Sequence, residues 1–269
     1  MVRCSDSGGE ICPVDMAVLA ALVGLFIGSF LNVCIYRIPR NESIVWPGSR
    51  CTKCGNPIRY HDNIPVISYL VLRGKCRFCS EPISVRYPVV ELISALLAVS
   101  LLYRFGPTLS FVIYYAWACV LLVITFIDLD FQIIPDRFTL GGIVTGLPLV
   151  YFLPVSYKDA LIGLVLGGGL LLVIIYGYYF MTRKEGMGGG DVKLLAMIGV
   201  FTGWQGVLFT VFASSLIGTL VGLPWAYLNK GPEGTLKAAI PFGPFLALGA
   251  LIYVLWGAYL IDWYFGFLG

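Results

Sequence analysis

Long runs of apolar residues constrain this chain more than any other feature of its sequence. A helix needs about 20 apolar residues to cross about 30 Å of hydrocarbon. Hydrophobic residues make up 58% of the 269 residues and charged residues only 12%, against roughly 25% charged in soluble domains. We predict an all-α polytopic membrane protein with seven or eight transmembrane helices, because two of the eight runs are short. The runs lie near residues 14–36, 88–104, 109–127, 138–155, 159–181, 192–206, 207–228 and 241–264.

Basic residues are distributed unevenly between these runs. The segment from Arg37 to Pro88 carries nine Lys or Arg residues against three acidic ones, which the positive-inside rule places in the cytoplasm. The first run lacks the basic region of a cleaved signal, so we expect a retained helix and an outer amino terminus. With eight spans, Arg104 and Lys158 then fall in outer turns. The same orientation places five further basic residues on the inner side: Arg183, Lys184, Lys193, Lys230 and Lys237.

Four cysteines in the basic segment form two pairs, Cys51-Thr-Lys-Cys54 and Cys76-Arg-Phe-Cys79, separated by 21 residues. Two C-x-x-C pairs can close a tetrahedral four-sulfur site without an open position, which is the structural form of zinc site. A segment of about 50 residues buries little apolar core and needs such a staple. A redox dithiol pair or a vacant site is the alternative. We predict a small cytoplasmic zinc-stapled module between the first two spans.

The remaining cysteines and the single histidine have simpler interpretations. His61 is expected on the surface, because four sulfurs already complete the metal site. Cys34 and Cys119 lie within apolar runs and are expected to be packed thiols. Cys4 and Cys12 would face an oxidising exterior, where a disulfide between them is an option.

Two aspartates stand at the ends of apolar runs on the predicted inner side. Asp128 continues the run that ends in Ile127, and Asp191 follows the glycines of Gly186-Met-Gly-Gly-Gly at the start of the sixth run. Ionisable residues in spans need shelter by protein or water, so this pair indicates a functional site by default. Two carboxylates a few Å apart share one proton and can activate water against a peptide bond, as in aspartic proteases.

Other interpretations of the aspartates stay open at this point. Asp191 alone is a candidate helix N-cap, and Asp136, which follows a proline, is expected to cap the fourth helix. Asp130 is either solvated or supports Asp128. The pair could also serve a proton or cation relay in a transporter, although such residues usually lie at mid-span and accompany internal repeats, which are not evident here. A scaffold that docks partners through the zinc module would leave the pair unexplained.

Two pairs of glycines lie four residues apart within the apolar runs, Gly24 with Gly28 and Gly163 with Gly167. Small residues at this spacing let helix backbones approach closely in lipid. We therefore expect both pairs to mark helix contacts.

Six motifs of the chain, in order, resemble those of bacterial type IV prepilin peptidases, in the Gly-x-Gly-Asp class of intramembrane aspartyl proteases. The resemblance covers nearly the whole chain. The motifs are Gly28-Ser-Phe-Leu-Asn-Val-Cys-Ile-Tyr-Arg-Ile-Pro39, the two cysteine pairs, Asp62-Asn-Ile-Pro-Val-Ile-Ser-Tyr69, Arg86-Tyr-Pro-Val-Val-Glu-Leu92, Ile127-Asp-Leu-Asp130 with Ile134-Pro-Asp136, and Gly188-Gly-Gly-Asp-Val-Lys193.

The resemblance implies that Asp128 and Asp191 are the catalytic pair. It implies that zinc is bound by Cys51, Cys54, Cys76 and Cys79. It further implies cleavage of a short basic leader after a glycine, at the cytoplasmic face of the bacterial inner membrane. The implied substrates are type IV prepilins and type II secretion pseudopilins, and membrane lipid is the other expected partner, with no nucleic acid.

A second activity, N-methylation of the new amino terminus with S-adenosylmethionine, is implied by the resemblance alone. No glycine fingerprint of a methyl-donor fold is present, and a peptidase without methyl transfer is the nearest alternative. The chain then has three predicted parts. Residues 1–36 form the outer amino terminus and first transmembrane helix, residues 37–87 the cytoplasmic zinc-binding domain, and residues 88–269 the transmembrane aspartyl peptidase domain.

Overall fold

The structure is a computed structural model that describes residues 13–183, 188–228 and 241–268. Regular structure in this part of the chain is helical apart from two isolated β-bridges. Its α-helices are α1 Pro13–Arg37, α2 Ile67–Val71, α3 Arg86–Phe105, α4 Leu109–Phe131, α5 Asp136–Leu149, α6 Tyr157–Thr182, α7 Gly189–Leu228 and α8 Gly243–Leu268. Short 3-10 helices lie at Ile38–Arg40, Tyr60–Asn63 and Val150–Phe152. The predicted all-α fold is confirmed.

Five of the described helices, α1, α3, α4, α6 and α7, are long and apolar enough to cross a membrane. The fourth apolar run forms α5, which has only 14 residues. The helix α7 has 40 residues but is broken at Gly203, whose φ of 72° and ψ of −179° are not helical. Glycine tolerates this conformation because it has no Cβ. The break divides α7 close to the predicted boundary between the sixth and seventh runs, and the count of seven or eight spans stays a prediction.

The chain forms two compact units, Met1–Val123 and Ile124–Gly269, and α4 contributes residues to both. The first unit contains α1, α2, α3 and the cysteine-rich segment, and the second contains α5 to α8. The three-part division at residues 36 and 87 stays a prediction. The Cys4 to Cys12 disulfide concerns residues outside those that the structure describes.

In the first unit, α1 packs against α3 through its two glycines. A methyl group built on Gly24 would lie 2.6 Å from the Cα of Ala95, and one built on Gly28 would lie 2.6 Å from the Cα of Glu91. Neither position has room for a side chain. The predicted role of this glycine pair in a close helix contact is confirmed.

In the second unit, α7 contacts α5, α6 and α8. A methyl group built on Gly167 of α6 would lie 2.5 Å from the carbonyl oxygen of Leu195, and one built on Gly163 would overlap the backbone of Gly199. This glycine pair therefore also marks a close helix contact. The first half of α7 buries its apolar side chains fully, at Leu194, Leu195, Met197 and Ile198. The helix that carries Asp191 is thus fixed firmly among its neighbours.

The contact between α6 and α7 predicts opposite effects for two alanine substitutions. Gly167→Ala places a methyl group against the backbone of α7 and should lower the stability by roughly 1–3 kcal/mol. Gly169→Ala is the matched control, because a methyl group there meets nothing within 4 Å, and it should raise the stability by up to about 1 kcal/mol through helix propensity. Thermal unfolding in detergent compares the two, and equal shifts would contradict the described packing.

Candidate active site

Asp128 lies in the last turn of α4 and is 5% exposed. Its Oδ2 accepts a hydrogen bond of 3.1 Å from the backbone N–H of Gly243, the first residue of α8. The first N–H groups of a helix have no partner within the helix and form its positive end. The start of α8 therefore directs a free backbone donor at this carboxylate. A methyl group on Gly243 would lie 2.6 Å from Oδ2 of Asp128, so a side chain at this position would displace the carboxylate.

Asp191 is the third residue of α7 and is 8% exposed. Its backbone N–H donates to the carbonyl of Gly188 at 3.2 Å. The alternative that Asp191 is a helix N-cap is wrong, since the residue lies inside the first turn. Its Oδ1 is buried and has no hydrogen-bond partner among the described residues. A buried acceptor without a donor costs free energy, so this oxygen is available to a water or to a substrate.

The two carboxylates are close enough for their charges to interact. Ile134, in the turn after α4, lies between the segments that carry them. A methyl group on Gly190 would lie 2.9 Å from Cβ of Ile134, and one on Gly243 would lie 3.2 Å from its Cδ1. The end of α4 and the starts of α7 and α8 thus converge within the second unit. The structure brings Asp128 and Asp191 together.

The other two aspartates of this region lie outside the pair. Asp136 is the first residue of α5, and its carboxylate accepts hydrogen bonds of 2.7 and 2.8 Å from Nζ of Lys193. The prediction that Asp136 caps its helix is wrong, because Pro135 occupies the N-cap position. Asp130 is exposed. The ion pair of Asp136 with Lys193 joins the start of α5 to α7 two residues after Asp191.

The sequence alone does not predict Gly243, Ile134 or Lys193 as parts of this site. Gly243 is the third residue of the last apolar run, 241–264, where the sequence indicates a helix start but no partner. The donor is a backbone N–H, which is not specific to any residue type, so the sequence does not identify it. Lys193 follows Asp191 by two residues and could be predicted only as an inner basic residue.

The four predicted zinc ligands, Cys51, Cys54, Cys76 and Cys79, form a second cluster, in the first unit. Their sulfur atoms all lie within 4.8 Å of one another, and the sulfurs of Cys51 and Cys79 are 3.8 Å apart. A tetrahedral zinc with Zn–S bonds of about 2.3 Å requires sulfur atoms about 3.8 Å apart. The donor set and its dimensions therefore fit a metal ion bound by four thiolates.

The two cysteine pairs lie on one repeated backbone unit, Arg50–Pro57 and Lys75–Pro82, each with the pattern basic-Cys-x-x-Cys-x-x-Pro. In each unit the carbonyl of the first cysteine accepts a 2.9 Å hydrogen bond from the residue four positions later, Gly55 or Ser80. Both of these residues have a left-handed φ, of 72° and 57°, and the ends of each unit pair as an isolated β-bridge. The expectation of no internal repeat is therefore wrong at this local scale.

The protein environment shifts the pKa values of two clustered thiols, Cys76 and Cys79, in opposite directions. The backbone N–H groups of Cys79 and Phe78 lower the pKa of Cys76 to about 7. The N–H of Glu81 lowers the pKa of Cys79, but desolvation and hydrogen bonds from the other thiols outweigh it and raise that pKa to about 12. With a pKa of about 12, the thiol of Cys79 stays protonated at neutral pH when no metal is bound. A bound divalent cation would stabilise the thiolate form and so favour loss of that proton.

An ion pair supports this cluster from outside. Nε and Nη2 of Arg77 donate to the carboxylate of Asp62 at 2.8 and 2.5 Å, and the guanidinium holds the pKa of that carboxyl below its usual range. Because Arg77 lies between Cys76 and Cys79, the pair fixes the second cysteine pair to the 3-10 helix that contains Asp62. His61 is exposed and lies outside the sulfur cluster, as predicted.

Comparisons with known proteins match both halves of the chain. A model described as the Bacterial Peptidase A24 N-terminal domain matches residues 22–105, and the model of the Type IV leader peptidase family matches residues 115–223. Proteins named prepilin leader peptidase/N-methyltransferase are 39% identical in Pseudomonas putida, over 91% of this chain and 92% of that protein, and 38% identical in Pseudomonas aeruginosa, over 96% of both. The chain belongs to the type IV leader peptidase family. The resemblance drawn from its motifs is confirmed.

Other comparisons agree with this membership. The protein of the same name from Myxococcus xanthus is 40% identical over 77% of this chain and 62% of its own length. No solved structure matches the chain significantly. The region matched by the family's peptidase model contains Asp128 and Asp191, and the region matched by the N-terminal model contains the four clustered cysteines. Gly243 lies beyond both matched regions, although it binds Asp128.

Proposed function

We propose that this protein is an enzyme of the bacterial inner membrane that removes the leader of type IV prepilins and then methylates the new amino terminus. Relatives whose names state both activities align with more than nine-tenths of the chain. The observation that carries the proposal is the convergence of two buried carboxylates, Asp128 and Asp191, whose charges interact.

Asp128 and Asp191 act as one catalytic pair in this proposal. Two neighbouring carboxylates cannot both ionise readily, so they share a proton and titrate as a unit. The ionised member takes a proton from a water molecule, and the protonated member donates a hydrogen bond to the scissile carbonyl. The Oδ1 of Asp191, which has no hydrogen-bond partner among the described residues, supplies an acceptor for that water. The N–H of Gly243 fixes the orientation of Asp128.

The four clustered cysteines hold a structural zinc ion. Two pairs on matching backbone units surround one position with four sulfurs and leave no open position for a substrate or a water. Zinc therefore stabilises the fold of the module between α1 and α3 and takes no part in cleavage. Binding of S-adenosylmethionine supplies the methyl group for the second activity.

The active site and the zinc module face the cytoplasm, and the amino terminus lies outside. The nine basic residues between Arg37 and Pro88 support this orientation through the positive-inside rule, and they attract the module to anionic lipid. Pseudopilins of type II secretion are further substrates, because they would present the same short basic leader. No nucleic acid takes part.

The proposal is tested by incubating the purified protein, in detergent, with a prepilin in the presence and absence of S-adenosylmethionine. We expect leader removal under both conditions, with the added mass of one methyl group only when the methyl donor is present. Mass spectrometry of the pilin amino terminus measures both products. Full-length prepilin after incubation with the zinc-loaded protein would overturn the proposal, whereas cleavage without methylation would support the peptidase-only alternative.

A further inference from the structure

Glu91 is a buried carboxylate within a membrane-spanning helix, and neither the aspartate pair nor the sulfur cluster uses it. It is 7% exposed and lies five residues after the start of α3, about 8 Å along the helix. The Asp62 side chain of the same unit is also 7% exposed, but it forms an ion pair with Arg77. Glu91 forms no ion pair with any described residue. An ionisable residue inside a span is a functional-site hypothesis by default.

Two groups orient the Glu91 carboxylate without neutralising it. Its Oε2 accepts a 2.8 Å hydrogen bond from the N–H of Val66, and Ser29 of α1 also hydrogen-bonds to it. Val66 has φ 60° and ψ −49°, which a β-branched residue rarely adopts, and such strained positions cluster at functional sites. A carboxylate offers about four acceptor positions, so Glu91 can accept further donors.

Asn32 of α1 supplies a second unused acceptor at the same helix contact. It is 2% exposed, and its Nδ2 donates to the carbonyls of Gly28 at 3.3 Å and of Tyr87 at 3.0 Å. Its Oδ1 is buried and has no partner among the described residues. Gly28 packs directly on Glu91, and Tyr87 precedes Glu91 by one turn of α3. Asn32 of α1 therefore lies opposite the turn of α3 that precedes Glu91, in the same contact between the two helices.

The chemistry of this pair specifies its ligand. The contact between α1 and α3 holds two buried acceptors, and one of them, Glu91, is negatively charged. Among the described residues, no cationic side chain forms an ion pair with it. The complementary group is a cation with several N–H donors. A primary ammonium group has three such donors and a single positive charge.

We propose that Glu91, assisted by Asn32, binds the new α-amino group of the leaderless pilin and accepts its proton before methyl transfer. This inference rests on the proposed function, because leader removal creates that amine. An α-amino group has a pKa of about 7.7 to 8.0 and is mostly protonated at neutral pH. A protonated amine has no lone pair to attack a methyl group, so the reaction requires a proton acceptor.

The proposed step balances in atoms and charge. The ammonium group transfers a proton to the Glu91 carboxylate, and the freed nitrogen lone pair forms a bond to the methyl carbon. The bond from that carbon to the sulfonium sulfur breaks, and its electron pair stays on sulfur as a neutral thioether. The nitrogen then carries the methyl group and the positive charge, and Glu91 releases its proton to solvent.

A purely structural role for Glu91 is the competing explanation, since it binds the Val66 N–H. The variant Glu91→Gln distinguishes the structural role from the proposed role in proton transfer. Its amide oxygen still accepts the hydrogen bond from Val66 but cannot take a proton from an ammonium group. Glu42→Gln is the matched control, as Glu42 is exposed in the same unit. Initial rates of cleavage and methylation are measured for each protein by mass spectrometry, together with zinc content as a test of folding.

We expect Glu91→Gln to cleave prepilin at the wild-type rate and to keep its zinc, while its methylation rate falls at least about a hundred-fold. Glu42→Gln should match the wild type in both activities. Methylation by Glu91→Gln at the wild-type rate would overturn this inference and leave the proposed function intact. Failure of the wild-type protein to cleave would overturn the proposed function itself.

A binding measurement without methyl donor keeps the inference testable even if Glu91→Gln does not fold. A fluorescent peptide with the sequence of a leaderless pilin amino terminus is titrated with wild-type protein, once with a free amine and once acetylated. Recognition of the ammonium group predicts at least about ten-fold tighter binding of the free amine. Equal affinities would overturn the inference, and a folded Glu91→Gln protein should lose the difference.

Discussion

Asn in place of Asp128 or Asp191 is expected to lower the rate of leader cleavage at least about a hundred-fold, and up to about ten-thousand-fold. Neither variant can share a proton across the pair, and residues that act as a unit lose most of their effect when one is removed. The amide side chain has nearly the shape of the carboxylate that it replaces, and the amide oxygen of Asp128→Asn can still accept the hydrogen bond from Gly243. Initial cleavage rates on a purified prepilin measure the effect.

The matched control for both variants is Asp136→Asn. Asp136 lies eight residues after Asp128, but its carboxylate is exposed and pairs with Lys193 at the surface. Exposed ion pairs contribute about 0–1 kcal/mol, so this variant should cleave at nearly the wild-type rate. If Asp136→Asn lost as much cleavage activity as the other two variants, the region would tolerate no change of charge. The effects of Asp128→Asn and Asp191→Asn would then no longer support a catalytic pair.

Cys76→Ser is expected to remove zinc from the protein and to unfold the module between α1 and α3. Structural zinc sites contribute about 10–16 kcal/mol of apparent binding free energy in small domains, and three thiolates with one hydroxyl bind far more weakly than four thiolates. The wild-type protein should contain one zinc ion per chain when it is purified without chelator. Elemental analysis measures the metal, and limited proteolysis between Arg37 and Arg86 measures the loss of structure.

Cys34→Ala is the control for the zinc prediction. Cys34 is a buried thiol of α1 and is not part of the sulfur cluster, so this variant should keep its zinc and its resistance to protease. Wild-type protein without bound metal would contradict the assignment of the cluster. A Cys76→Ser protein that retains its full zinc content would also contradict this assignment.

The helices of this protein could be predicted well from the sequence, because burial in lipid requires long apolar runs. Every predicted run is helical over most of the length that the structure describes. The break in α7 was harder to place, since Gly203 lies within an uninterrupted apolar stretch and many other glycines in this chain are helical. The helix α5 is short because the chain continues at Val150 as the 3-10 helix Val150–Phe152, a change within an apolar run that the prediction did not include.

The candidate site could be predicted only in part. The residues that could be predicted differ physically from those that could not. Asp128, Asp191 and the four clustered cysteines stand out because charges at the ends of spans and paired thiols need a specific explanation. The hydrogen bond from Gly243 to Asp128 joins residues 115 positions apart. Its donor is a backbone N–H, which every residue except proline has, so the sequence does not identify it. Glu91 is recognisable as unusual only after its burial is known.

Incubation of a prepilin with purified, zinc-containing Asp191→Asn protein tests the central claim most directly. The buried Oδ1 of Asp191 has no partner among the described residues that this change would disturb, so a loss of activity would report on chemistry rather than on folding. If Asp191 works with Asp128 on a shared proton, mass spectrometry will find only the full-length prepilin after a time in which the wild-type protein cleaves all of it. Leaderless product formed at the wild-type rate would contradict the account.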